Sequence, residues 1–289
     1  MKPHLLKVPL MPEYSFSIRH DVVPYFYNHW HYHPEIELIH ILQGTGTQFL
    51  GDQIGHFKPD DMILIGSNLT HMWRNDEAYF KKDPSLKAEA IVIHFDPQFL
   101  GQPFIQLFEN RSLINLMEKA KQGLYISSDT RSAIHQHMLA LFNLQGMERI
   151  IRLLTILHLL SVSSDTSLIS SKGFHINNVE SETDKIDRIF QYTLSHFNEK
   201  IRLEDIAARV NISPKAFCRY FKSRTRKTFS RFLLEVRIGH ACKLLNEGSM
   251  NISEICYDCG FNNVSNFNRY FKMLTRTTPL GYRKAQLKD

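Results

Sequence analysis

The chain has 289 residues, 43% of them apolar, and 35 Lys and Arg against 29 Asp and Glu, a formal charge of +6. This length predicts about two domains, and the apolar fraction is that of an ordinary globular protein, which excludes large-scale disorder. No charged start leads into a long apolar run, so neither a secretory signal nor a transmembrane helix is expected, and the four cysteines, Cys218, Cys242, Cys256 and Cys259, read as reduced cytosolic thiols rather than a disulfide framework.

The first hundred residues carry a polar constellation. His29, His31, His33, Glu35 and Glu37 share one parity, and alternate residues of an extended strand share a face. Residues 37 to 42 read as a strand, 43 to 46 as a turn, 47 to 50 as a strand, Gly51-Asp52 as a turn and 61 to 65 as a further strand. Short strands punctuated this often point to a β-barrel or jelly roll. The pattern His31-x-His33, Glu37, Gly44, then Pro59, His71 and Asn75 resembles the two sequence motifs of the cupin barrel over about residues 20 to 97. Asp60 stands where the second motif commonly has glycine. The resemblance implies that His31, His33, Glu37 and His71 converge on one divalent ion, and three nitrogens with one carboxylate suit zinc, manganese, iron or nickel. With Trp30, Tyr32 and Trp73 nearby, the same face also suits hydrogen bonding and stacking of a carbohydrate. His31, His33, Glu35, Glu37 and Trp73 are therefore candidate effector contacts with or without metal, and a purely structural hydrogen-bonded cluster is the third reading.

Apolar residues at helical spacing predict helices around residues 103 to 121, 129 to 144 and 148 to 162. The last, with Ile150, Ile151, Leu153, Leu154, Ile156, Leu157, Leu159 and Leu160, is apolar on too many sides for a surface helix and is expected to be buried from more than one direction. It is too short for a membrane span, which wants about 20 apolar residues. From residue 161 the composition turns to Ser, Thr, Asn and Gly without apolar period, which predicts a flexible linker.

The last hundred residues say nearly the same thing twice. Residues 217 to 228 read FCRYFKSRTRKT and residues 267 to 278 read FNRYFKMLTRTT, agreeing at eight of twelve positions. Upstream, Leu203, Ile206, Ala207 and Val210 correspond to Ile252, Ile255, Cys256 and Cys259, each set at helical i, i+3, i+4, i+7 spacing. Each copy is predicted to be two short helices joined by a tight turn, at Asn211-Ile212-Ser213 and at Gly260-Phe261-Asn262-Asn263. Ser213 before Pro214 is a good helix start, and Gly260 permits a tight stop. This is the helix-turn-helix unit, whose second helix enters the major groove. Residues 184 to 289 hold 20 Lys and Arg against 10 Asp and Glu, while residues 1 to 183 hold 15 against 19. Basic charge concentrated on such a motif predicts phosphate neutralisation and salt-sensitive affinity.

Residues 184 to 287 resemble the DNA-binding domain of the AraC/XylS family of transcription regulators. Ile255, Gly260, Phe261, Phe267, Arg269, Phe271, Lys272, Thr278, Pro279, Tyr282 and Arg283 carry the match. The resemblance implies two helix-turn-helix motifs joined by a long helix over about residues 228 to 247, with Phe232, Leu233, Val236, Ala241 and Leu244 packing the halves together. Helical faces then select the readers. Phe217 and Phe221 face the core and leave Lys215, Cys218, Arg219 and Lys222 towards DNA; Phe267, Phe271 and Leu274 leave Val264, Ser265, Asn268, Arg269 and Lys272. Arg to guanine and Asn to adenine are the common bidentate pairings, so Arg219, Asn268 and Arg269 lead. Cys256-x-x-Cys259 occupies the places of Ala207 and Val210 in the repeat and reads as core packing rather than a zinc site.

The expected fold class is α+β: an N-terminal cupin-like β-barrel (jelly roll) followed by helices, then an all-α domain of two helix-turn-helix motifs. The expected boundaries are a sensing barrel over 1 to 97, a helical dimerisation or packing region over 98 to 165, a linker over 166 to 183 and a DNA-binding domain over 184 to 289. The resemblance implies a cytoplasmic, homodimeric, effector-responsive regulator of carbohydrate or other catabolic genes, engaging double-stranded DNA and, as an activator, RNA polymerase. The alternative is a metal-dependent cupin enzyme or metal sensor fused to a DNA-binding domain.

Overall fold

A computed structural model of the protein describes residues 4–6, 8, 13–81, 83, 85–171, 183–225, 227–248 and 250–286. The chain forms two compact units, with the main division between Asn177 and Asn178.

The first unit is built on two sheets. One has the order β1 (His4–Leu5), β3 (His31–Tyr32), β8 (His71–Asn75), β5 (Gly46–Leu50), β6 (Gln53–Phe57). The other runs β11 (Thr166–Leu168), β10 (Leu124–Ile126), β7 (Met62–Ile65), β4 (Ile36–Gln43), β9 (Ala88–Phe95), β2 (Phe16–Val23). Ile39, Ile41, Ile63 and Ile65 of the second sheet form a core with Leu50, Phe57 and Trp73 of the first. The opposite parity, Leu38, Met62, Leu64, Ile91 and Ile93, packs against helices α2 (Arg111–Ala120), α3 (Ser128–Leu141) and α4 (Gly146–Val162). β4 is therefore buried on both faces and reads as a nearly continuous apolar run in which Glu37 and His40 are the exceptions. Asp60 adopts φ 72, the left-handed conformation that glycine takes freely and Asp tolerates, so the departure from the cupin motif leaves the turn intact.

Four expectations need correction. Residues 166 to 171 do not begin a linker: Thr166–Leu168 pairs antiparallel with Leu124–Ile126, and Ser170 and Ser171 hydrogen-bond the Asp52 carboxylate. A segment reading Thr-Ser-Leu-Ile-Ser-Ser is too short and polar to carry the apolar alternation of a strand, yet an edge strand needs only backbone pairing. Residues 172 to 182, where the rest of the linker was expected, lie outside the described residues. The sheets also extend past residue 97, since β10 and β11 complete the second one, and the first predicted helix is broken into α1 (Gln102–Ile105), a 3-10 turn and α2. Finally, α4 buries only the face carrying Leu153, Ile156, Leu157 and Leu160, while Met147, Ile151 and Val162 are exposed.

The second unit comprises α5 (Thr183–His196), α6 (Leu203–Arg209), α7 (Pro214–Thr225), α8 (Phe229–Glu247), α9 (Ile252–Asp258), α10 (Val264–Thr275) and α11 (Pro279–Gln286). Phe217 and Phe221 are fully buried with Phe229 and Phe232, and Phe267 and Phe271 with Ile255, Cys256, Cys259 and Phe261. The two buried cysteines thus fill the small core positions that Ala207 and Val210 fill in the first motif. On α8, Phe232, Val236 and Ala241 are buried as expected, joined by Ile238 and Leu245, while Leu233 and Leu244 are half-buried. Thr228 caps α8 through the Arg231 amide, and α9 opens on a complete capping box between Asn251 and Glu254.

The repeat extends to the backbone of its turns. Asn211 has φ 54 and its counterpart Gly260 has φ 76. A Cβ on Gly260 would lie 2.6 Å from the Asn198 carbonyl oxygen, so the second motif's turn packs directly on the loop after α5. Arg237 of α8 holds the same loop, donating to the Phe197 carbonyl at 2.7 Å and the Glu199 carbonyl at 2.8 Å. Gly248 has a similar φ of 72, but a methyl group there would meet open space. Gly248→Ala should therefore cost about 1 kcal/mol, the conformational penalty alone, and Gly260→Ala distinctly more; urea unfolding of the two variants measures the difference.

Candidate functional site

Two sets of side chains stand out, one on each unit. On the second unit, Lys215, Cys218, Arg219 and Lys222 of α7 are exposed, as are Ser265, Asn268, Arg269 and Lys272 of α10. The buried phenylalanines at i and i+4 dictate this: with Phe217 and Phe221, or Phe267 and Phe271, turned inward, the intervening positions face solvent. Val264 differs from the rest, being half-buried against the core of the second motif, because the first residue of α10 faces the core before the helix has turned. Asn263 caps α10 by accepting from the Asn266 amide at 2.8 Å, which fixes where that helix begins. Among the described residues, Lys215, Arg219, Lys222, Asn268 and Lys272 make no side-chain hydrogen bond or ion pair. The Arg269 guanidinium lies 4.7 Å from the centre of the Tyr270 ring. The two helices present cations and amides without internal neutralisation, which is the electrostatic requirement for meeting phosphate and base edges.

On the first unit, strand register assembles the histidines. His31 pairs with His71 across β3 and β8, and Glu37 pairs with His94 across β4 and β9. His33 and His94 both donate to Glu37 Oε2, at 3.1 and 2.8 Å, and His71 Nε2 lies 3.6 Å from the same oxygen. The other ring nitrogens are anchored: Nδ1 of His31, His33 and His71 donates to the carbonyls of His29, Glu35 and Leu69 at 2.8, 3.0 and 2.7 Å. Glu35 and His29 thus contribute backbone, not side chain. His29 is exposed, and the Glu35 carboxylate lies 3.7 Å from His33 Nδ1, behind the ring as seen from Glu37. Pro34 between β3 and β4 interrupts the parity that would have aligned all five residues.

His94 is absent from the sequence-based set, because a single His in an apolar strand carries no motif; only its register opposite Glu37 reveals it. Arg19 of β2 joins next, reaching His94 Nδ1 at 3.4 Å while its Nε and Nη2 engage Asp21 at 3.2 to 3.3 Å. A cavity of about 150 Å³ opens beside the cluster, lined by Arg19, His31, Glu37, Trp73 and His94 on its polar side. Trp73 therefore joins His31 and Glu37 around one space, whereas His33 and Glu35 stand outside the lining.

The electrostatics follow from burial. Desolvation alone would raise the Glu37 pKa, but the His94 charge, the hydrogen bonds from His33 and His94 and the neighbouring His71 ring outweigh it and hold the carboxyl well below its usual range. Burial also opposes charging of His33, yet its bond to Glu37 and the Glu37 charge prevail and raise its pKa. Burial and the His71 charge push His31 well down, and burial and the His33 charge push His71 down, which favours the neutral imidazole in each. With Nδ1 donating to a carbonyl, each then presents a lone pair at Nε2, and His71 Nε2 is buried without a hydrogen bond.

These donors fit a divalent cation. The ligand atoms of His31, His33 and His71 lie within 4.8 Å of one another, as do those of His33, Glu37 and His94. Carbonyl anchors on the distal nitrogens are the arrangement that fixes tautomer and ring orientation around a metal. His31, His33, His71 and Glu37 would hold the ion, with His94 bracing Glu37.

Comparison with known proteins agrees with both units. A helix-turn-helix domain model matches residues 206–285, and a cupin domain model matches residues 21–79. The chain is 26% identical over 278 residues to YdeC, an uncharacterized HTH-type transcriptional regulator of Bacillus subtilis, covering 94% of this chain and 90% of that one. It is 30% identical over 100 residues to the regulatory protein PocR of Salmonella typhimurium, covering 35% of this chain and 33% of that one. Among solved structures, the DNA-binding domain of AdpA in complex with a target DNA aligns at 27% identity and TM-score 0.34, over 35% of this chain and 92% of that one. ToxT of Vibrio cholerae aligns at 17% identity and TM-score 0.37, over 94% of this chain and 100% of that one. Among the described residues no helix is long and apolar enough to cross a membrane. The chain carries a helix-turn-helix domain with a cupin domain ahead of it, and along nearly its whole length it is similar to an HTH-type transcriptional regulator.

Proposed function

We propose that this protein is a cytoplasmic, homodimeric transcription regulator rather than an enzyme, in which residues 1 to 165 sense a ligand and dimerise and residues 184 to 289 read DNA. The observation that carries this is the pair of repeated helices, α7 and α10, identical at six of twelve positions and each free of acidic residues on a domain with twice as many basic as acidic residues. In this reading α7 and α10 enter successive major grooves about 34 Å apart. Arg219, Asn268 and Arg269 contact base edges, while Lys215, Lys222 and Lys272 contact phosphate. As an activator the bound protein would meet RNA polymerase, and carbohydrate or other catabolic genes are the targets the family suggests. The exposed stripe of Met147, Ile151 and Val162 on α4, with Leu139 on α3 and Phe142 just after it, is the dimer contact. A ligand in the first unit acts by binding one arrangement of the DNA-binding domains better than another.

The sensing site has a sharper assignment. Three carbonyl-anchored imidazoles turned toward Glu37 favour a divalent cation there. The adjacent cavity of about 150 Å³ falls below the roughly 300 Å³ at which ligand pockets begin, so a free sugar as sole occupant fits poorly. A metal-dependent cupin enzyme would use the same residues; the duplicated DNA-reading face favours sensing.

Two outcomes test these assignments. Arg269→Ala should weaken binding to the selected site by about 1 to 3 kcal/mol and relax discrimination at one base pair, whereas Lys272→Ala should weaken all sequences alike and lower the salt slope by about one; fluorescence anisotropy against matched and single-mismatch duplexes at two salt concentrations separates the two. Dialysis of metal-stripped protein against zinc chloride should give one bound zinc per chain by elemental analysis. Glu37→Gln should reduce that affinity by at least about tenfold.

A further inference from the structure

We infer that the first unit carries a second ligand site, a cleft at the end of β2 that takes a free aromatic amino acid, with the ring against Tyr25 and Phe80 and the two charged groups toward Asp83 and Lys87. The inference goes beyond the cation reading of the histidine cluster and does not depend on it.

The cleft has a volume of about 550 Å³, against about 150 Å³ beside Glu37, and so lies within the roughly 300 to 1,000 Å³ of small-molecule sites. The end of β2 and the residues just after it, up to Tyr25, form one wall; the segment between β8 and β9, with Tyr79, Phe80, Asp83, Leu86 and Lys87, forms the other. Local bonds set the second wall without a ligand. The Asp76 amide donates to the Thr45 carbonyl and the Tyr79 amide to the Asp76 carbonyl, each at 3.0 Å. Arg74 pairs with Glu77 at 2.8 Å and lies 4.9 Å from the centre of the Phe80 ring. Further along, the Leu86 amide donates to the Asp83 carbonyl at 3.2 Å, and Asp83 Oδ1 accepts from the Ser85 amide at 2.9 Å and the Ser85 hydroxyl at 2.6 Å. A wall held in this way loses little freedom when a ligand binds.

The lining calls for a ring. Tyr25 and Phe80 stand 4.6 Å apart between centroids, tilted by 36°, yet Tyr25 is 44% exposed and Val22 50%. Apolar surface left in water favours whatever covers it, and a planar aromatic group can do so by the offset and edge contacts that aromatic rings prefer.

Charge narrows the class. Among the described residues, Asp83 and Lys87 are the charged members of the lining. Lys87 makes no ion pair, and Asp83 Oδ2 has no partner, since Ser85 engages only Oδ1. A carboxylate and an ammonium on one ligand match both. An aromatic acid leaves Asp83 facing like charge, and an aromatic amine does the same to Lys87. Both side chains are exposed, so each pairing is weak and screened; together they choose among aromatic ligands, while the ring supplies most of the affinity.

The test is equilibrium dialysis of full-length protein against radiolabelled L-phenylalanine, with 3-phenylpropanoate and 2-phenylethylamine as competitors that each lack one charged group. The expected result is one phenylalanine per chain, bound about fivefold more tightly than either competitor and equally well with and without zinc. Tyr25→Ala should weaken it at least about tenfold. Lys87→Gln and Asp83→Asn, the latter keeping an acceptor for Ser85, should each weaken it about threefold. A competitor that binds as tightly as phenylalanine overturns the zwitterion assignment. Absence of saturable binding, or binding that Tyr25→Ala leaves unchanged, overturns the site. Uptake that falls as protein concentration rises marks a second copy as the occupant and also overturns it. The ranking of the three probes on the unaltered protein stands whether or not a variant folds, and failure of zinc uptake leaves this inference standing.

Discussion

The carboxylate of Glu37 is the point on which the first unit turns. It is 5% exposed, and a buried charge without partners costs several kcal/mol, so the fold has to bring hydrogen-bond donors to it. Strand parity does this. On β4 the odd positions Glu37, Ile39 and Ile41 face the interior between the sheets and the even positions Leu38 and His40 face the helices. Sliding β4 by one residue against β7 and β9 would drive Glu37 against the helices and His40 into the interior. The interaction that makes the site therefore also fixes the register of the central strand, and through β7 and β9 the rest of that sheet.

The second unit answers to a different constraint. Each motif is too small to bury an adequate core alone, and α8 supplies the shared one, with Phe232 on the side of the first motif and Ile238, Ala241 and Leu245 on the side of the second. The loop after α5 adds a second tie, gripped by Arg237 from α8 and seated against Gly260 from the second turn. Both motifs are thereby referred to one rigid helix, which is what reading two grooves at a set separation requires.

Much of this was legible in the sequence. The duplication was the strongest signal, because buried Phe at i and i+4 both repeats and leaves the exposed face by elimination. The three motif histidines and Glu37 were legible as well, through the resemblance to the cupin motifs rather than through strand parity, since β3 and β4 lie in different sheets. His94 and Arg19 were not, because their proximity to Glu37 comes from pairing between strands more than fifty residues apart in sequence, and spacing carries no record of that register. Residues 166 to 171 misled in the opposite direction: Ser and Thr read as linker, while backbone pairing with Leu124–Ile126 makes them the edge of a sheet. The exposed stripe of α4 could not be separated from its buried face by composition, since Met147 and Ile151 are as apolar as Leu153 and Ile156.

The central claim, that two exposed helices on one rigid frame read DNA sequence, is tested most directly by selecting from random duplexes with purified full-length protein at physiological salt and sequencing what is retained. The account predicts two short conserved elements about one helical turn apart, both retained when the selection is repeated with added zinc. Retention that is independent of sequence and falls away with salt, with and without zinc, would contradict it.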